Sequence, residues 1–158
     1  MEDTSDAMGE WTSTAISHLL EECRMVLPGI QALFGFQLMA VFNQGFWERL
    51  DSSEQRLHLL AVVLVVLAVA LVMTPAAYHR QAKHDTRPEQ FISLSSRLLL
   101  WSMFPLMAGI CVDFYLIARM ILLNAFMSLL GTVMLLVIFL IFWLLLPRSN
   151  SFRQWLSQ

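Results

Sequence analysis

Leu57–Tyr78 is a run of 22 residues with no formal charge and one histidine, His58, near its start. Wound as a helix at about 1.5 Å per residue it reaches roughly 33 Å, enough to cross a hydrocarbon core of about 30 Å. Such a stretch sets lipid as the solvent. In lipid each polar side chain inside a span needs a physical reason to be there.

Three more stretches have the same character. Met25–Phe46 carries no charge but holds Gln31, Gln37, Asn43 and Gln44. Leu94–Leu116 and Leu123–Leu146 follow, with the turn between them expected near Ala118–Leu122, where Arg119 can reach the interface. The expected fold is therefore an all-α integral membrane protein with four transmembrane helices. Three regions are expected: a cytoplasmic tail and interfacial helix over 1–24, a four-span membrane domain over 25–146 and a second cytoplasmic tail over 147–158. In the first, Ile16, Leu19, Leu20 and Cys23 follow helical spacing behind a Ser13 or Thr14 cap, and Leu27-Pro28-Gly29 is expected to bend the chain into the membrane. Phe152, Trp155 and Leu156 repeat the amphipathic pattern at the other end.

Composition agrees with this solvent. The 158 residues are 58% hydrophobic and only 14% charged, against roughly 25% charged in soluble domains. A net charge of −2 gives no basic face for nucleic acid. The acidic first twenty residues lack an apolar core, so no cleaved signal peptide is expected. The two cysteines, Cys23 and Cys111, fall toward opposite membrane faces and are not expected to pair.

Lysine and arginine counts orient the chain. Arg24, Arg80, Lys83, Arg87, Arg97, Arg148 and Arg153 fall on the side shared by both termini, against Arg49, Arg56 and Arg119 on the other. Both termini are expected in the cytoplasm. Trp47, Trp143 and Trp155 lie near span ends, as an aromatic belt places them.

Polar and small residues form stripes along the spans. Gln37, Gln44 and Glu48 recur on the first span; Ala61, Ala68, Val72, Pro75 and His79 share a face of the second. Ser95, Ser102, Gly109 and Asp113 line the third, and Asn124, Ser128, Gly131 and Thr132 the fourth. They read either as packing seams or as the lining of a hydrated path. Asp113 stands out, because a bare aspartate near a helix centre costs about 2.5–3.5 kcal/mol. It is expected either to pair with Arg119, Arg56 or Arg49 or to handle ions or protons. At the cytoplasmic end Glu22, Arg24, His79, Arg80 and Arg97 are expected at one depth, as interfacial anchors or as a Glu–Arg–His gate that His79 makes pH-sensitive.

Other chemistries are not written here. His58 and His79 lie at opposite ends of one span and His18 and His84 outside the spans, which does not suit a haem. No zinc pattern, phosphate-binding loop or nucleophile motif occurs, so neither a cofactor nor an enzyme is expected.

The residues Glu22-Cys-Arg24, Leu27-Pro-Gly29-Ile-Gln31, Phe36, Phe42, Phe46, Gln55-Arg56 and Pro75-Ala-Ala-Tyr-His79-Arg80 stand in an order that resembles a bacterial family of small four-helix membrane proteins of unknown function. Its members show a Glu-x-Arg start to the first helix, a Gly-x-Gln just after, and a Pro-x-x-x-His-Arg exit from the second; some are labelled sodium:proton antiporters. The resemblance covers about residues 20–100, with Pro28 a departure from the pattern. It implies a multi-pass protein of the bacterial inner membrane and puts weight on Glu22, Arg24, Gln31, His79 and Arg80. Four such helices enclose little space, so a path for protons or monovalent cations is expected to need a homo-oligomer. Glu22, Arg24, Gln31, Gln37, Gln44, His79, Arg80 and Asp113 are its expected lining. The alternative is a non-transporting interaction, scaffold or regulatory protein in the bilayer.

Overall fold

The computed structural model describes residues 2–81 and 88–145. Lys83, His84, Arg87, Arg148, Phe152, Arg153, Trp155 and Leu156 lie outside the described residues. Among the described residues the chain is helical with no strand: α1 (Glu2–Val41), the short α2 (Gln44–Arg49), α3 (Ser52–Gln81), α4 (Pro88–Leu122) and α5 (Ala125–Leu140), which widens into a π-helical turn over Ile141–Leu145. Four segments, Thr14–Val41, Ser52–Gln81, Phe91–Leu122 and Ala125–Leu145, are long and apolar enough to cross a membrane.

The helix breaks differ from those expected in three places. First, α1 is continuous through Leu27-Pro28-Gly29 and already helical at Ser13 and Thr14, so no helix starts at Ser13 or Thr14 and none ends at Pro28. Pro28 is exposed. Second, the break falls at Phe42–Asn43, where the Phe42 and Asn43 N–H groups bond back three residues to Met39 and Ala40. The Asn43 side chain then accepts from the Gly45 N–H and caps α2. Gln44 and Glu48 thus leave the helix that carries Gln37, and the expected stripe through all three is divided. Third, α4 runs past Arg119 to Leu122. The chain turns at Leu123, whose φ of 52° is left-handed, and Asn124 caps α5 by accepting from the Phe126 and Met127 N–H groups.

Packing is densest between α3 and α4. On α3 the buried residues His58, Ala61, Val65, Ala68, Val72 and Pro75 are spaced alternately by three and four, the seam of a left-handed helix pair. On α4, Ser95, Ser102, Gly109 and Leu116 are buried at intervals of seven. A Cβ on Gly109 would lie 3.0 Å from Val65 Cγ2 and 3.3 Å from the Ala61 carbonyl oxygen, so glycine permits the close approach. The small-residue stripes of the second and third spans therefore face each other as a packing seam. His79 leaves that seam and is exposed, its ring beside Phe91. On the other side α1 lays Cys23 and Ile30 against Val65 and Val72. At the α2 end, Phe46, Leu50 and Leu116 form a second cluster that roofs the bundle.

Candidate functional site

Under that roof three helices meet in a polar junction. Gln37 of α1 is 3% exposed and His58 of α3 7% exposed; the Asp113 side chain of α4 is 14% exposed. The Gln37 amide donates to Asp113 Oδ2 at 2.6 Å. The Gln37 carbonyl faces His58 Nε2 at 3.0 Å. His58 Nδ1 lies 3.3 Å from Asp113 Oδ1. Phe46 of α2 closes the site with its ring edge-on to the imidazole, centroids 5.2 Å apart.

The hydrogen bonds count the protons. A carbonyl oxygen only accepts, so Nε2 must carry the hydrogen shared with Gln37. Nδ1 is then either a second donor or a bare lone pair. Facing a carboxylate oxygen at 3.3 Å, a bare lone pair would repel. One proton must therefore sit between Nδ1 and Oδ1, as imidazolium and carboxylate or as imidazole and carboxylic acid. Apart from that shared proton, Gln37 Oε1 and Asp113 Oδ1 are buried with no hydrogen-bond donor among the described residues.

Asp113 does not take the arginine partner expected of it. Arg119 bonds Glu54 instead, at 3.5 Å. Glu54 is held there by a capping box: Asp51 accepts from the Ser53 and Glu54 N–H groups, and Glu54 accepts from the Asp51 N–H. These bonds, the Ser53 hydroxyl first among them, hold the Asp51 carboxyl below its ordinary value of 3.8.

A cavity of about 190 Å³ adjoins the junction, lined by its three polar residues and by carbon from α1, α2 and α4. Beyond it, Arg49, Asp51, Glu54 and Arg119 line an open vestibule of about 940 Å³ at the α2 end. The cavity and the vestibule share Leu50, Ile117 and Met120 as a dividing wall.

Of the expected lining residues, the structure brings Gln37 and Asp113 together. Gln44 is exposed and donates to Glu48 at 2.7 Å. Glu22, Arg24, Gln31, His79 and Arg80 are all exposed. Among the described residues no ion pair joins them, and Glu22 lines a groove with Ser96, Ser102 and Trp143. Sequence reasoning passed over His58 as a site residue. Its signal was present, since His58 continues the three–four spacing of the α3 seam.

Four membrane-length helices, three of which meet in a buried, hydrogen-bonded polar junction, define a small multi-pass helical membrane protein with an ionisable site among the described residues. The chain belongs to the Family of unknown function (DUF6328), which it matches over residues 10–147. No curated protein and no solved structure matches it.

Proposed function

We propose that the protein handles protons at the His58–Asp113 pair, and so moves protons or monovalent cations across a bacterial inner membrane with both termini in the cytoplasm. The observation that carries this reading is the proton required between Nδ1 and Oδ1, in a site whose other buried acceptor, Gln37 Oε1, has no donor. Histidine is the side chain whose charge changes most readily near physiological pH. Ionisable groups in such spans mark ion pathways and proton relays. The vestibule of Arg49, Asp51, Glu54 and Arg119 supplies water and exchangeable charge one layer away.

Past the junction, Ala61, Val65 and Ala68 are wholly buried against α4, which leaves no path along that seam. A homo-oligomer supplies the continuation, with exposed Glu22, Arg24, Gln31, His79 and Arg80 as the opposite mouth. The same closed seam favours a second reading, a non-transporting regulator in which the proton sets how α1 packs on α3 and α4 and a partner protein reads the result.

The test is flux into liposomes holding only the purified protein, with proton, sodium and potassium gradients imposed separately. The transport reading expects selective flux that falls at least tenfold in Asp113→Asn and in His58→Gln. Flux unchanged in both variants removes these residues from the path. Liposomes that stay tight from pH 5 to 8 favour the regulator.

A further inference from the structure

The cavity beside the junction is larger and more apolar than a proton needs. An apolar cavity of about 150 Å³ holds benzene, and this one measures about 190 Å³. Leu33, Ala40, Phe46, Leu116 and Met120 form its carbon wall. Phe36 and Ile117 stand at its rim, are 71% and 57% exposed, and lie little more than a turn from the ends of their helices. The cavity therefore opens sideways between α1 and α4, toward the outer hydrocarbon. An apolar chamber with a few convergent polar groups is the form of a small-molecule site.

The polar groups specify the occupant. Gln37 Oε1 is a buried acceptor without a donor. Once the shared proton leaves, Asp113 Oδ1 and His58 Nδ1 are two more. A primary ammonium brings three N–H donors and one positive charge, and Phe46 presents a ring at the same place. We propose that this cavity binds a small lipophilic organic cation, one ring bearing a primary ammonium group, in exchange for the proton held between His58 and Asp113. The inference rests on the proton-handling reading and names its substrate class. The exchange balances: one ammonium enters, one proton leaves Nδ1 or Oδ1 for water, and the site's net charge is unchanged. Asp113 ends as a carboxylate paired with the ammonium, and His58 as a neutral imidazole that still donates from Nε2. Asp113 on α4 is the one other titratable group lining the cavity; α1 and α2 contribute none. Arg49, Asp51, Glu54 and Arg119 face the neighbouring vestibule.

The test titrates benzylamine into the full-length protein in lipid nanodiscs, with benzyl alcohol as the neutral isostere and sodium and potassium chloride as the inorganic arm. Calorimetry reads binding, and a pH dye in weak buffer reads released protons. The expected result is benzylamine binding with one proton released per molecule bound. Where one proton is released per molecule bound, its affinity should fall about tenfold for each pH unit lowered. Asp113→Asn should weaken binding at least tenfold. Ala40→Phe, which fills the cavity from α1 and leaves every ionisable group in place, should do the same. Benzyl alcohol binding as tightly as benzylamine overturns the inference, as do amine binding without proton release, wild-type affinity in Ala40→Phe, or sodium or potassium binding in place of the amine. No amine binding by a protein that passes protons in liposomes overturns this inference alone. Amine binding with proton release in a protein that passes none supports it and removes the transport reading instead.

Discussion

Replacing His58 by leucine tests the junction by energy. The substitution removes the Nε2 bond to the Gln37 carbonyl and the Nδ1 contact to Asp113. Hydrogen bonds between membrane helices average about 0.6 kcal/mol and reach about 1.7 kcal/mol. Breaking a buried ion pair from one side costs about 3–5 kcal/mol, because the remaining charge is uncompensated. Here Asp113 keeps the 2.6 Å bond from Gln37 and some exposure, which lowers the second figure. The expected loss for His58→Leu is about 3 kcal/mol, between the two sources. Asp113→Leu alone strands the Gln37 amide and the second imidazole proton, and should cost about 2 kcal/mol. The double variant His58→Leu/Asp113→Leu leaves no buried charge and should lie within about 1 kcal/mol of the parent. The coupling is then about 4 kcal/mol, read from unfolding in detergent micelles across the four proteins. Additive losses near 5 kcal/mol would show that His58 and Asp113 do not act as a pair and would refute the proton count built on their contact.

Gly109→Val should destabilise by about 1–3 kcal/mol by thermal unfolding, since the new side chain starts 3.0 Å from Val65 and 3.3 Å from a backbone oxygen. Gly35→Ala, with nothing within 4 Å, should instead gain about 0.5–1 kcal/mol from helix propensity in the same assay. Leu123→Gly should stabilise by about 1 kcal/mol, because only glycine takes a φ of 52° without steric cost. The Asp51 cap gives a pH dependence: a carboxyl held low stabilises the fold above its ordinary value of 3.8 and loses that contribution as pH falls below it. Asp51→Asn should therefore flatten the acid limb of a stability–pH curve near the α2 end.

The four spans were legible because hydropathy over some twenty residues is the strongest signal a membrane chain carries. The α3–α4 seam was legible from Ala61, Ala68, Ser95, Ser102 and Gly109, whose spacing repeats with the helix. Gln37 and Asp113 were legible as isolated polar residues in apolar surroundings. What failed were the local decisions. Asn43-Gln44-Gly45 marks a cap and a turn, but an uncharged stretch through Phe46 reads as continuous span. Asn124 marks the start of α5, but Arg119 drew the expected turn upstream, although its guanidinium is held against α3 by Glu54. His58 was hidden by position: one polar residue at the start of a long apolar run is cheap if it faces water. Only the fold shows that it faces Gln37 and Asp113.

The placement of the junction also explains which motion a proton could drive. α3 and α4 are locked by the small-residue seam along most of their length, and α5 packs on α4. α1 is held differently. Cys23 and Ile30 give it apolar contact with Val65 and Val72 toward its middle, while near its α2 end Gln37 binds α3 through its carbonyl and α4 through its amide. Removing the shared proton sets two lone pairs against each other at 3.3 Å and weakens the reason for His58 and Asp113 to stay in register. The seam resists separation of α3 from α4, so the strain passes to the partner with least packing, the end of α1. That end carries Phe36 at the rim of the cavity and leads through Asn43 into the roof helix that holds Phe46. A displacement of α1 on loss of the proton would thus be driven at Gln37 and resisted by the Ile30 and Cys23 contacts about two and four turns below.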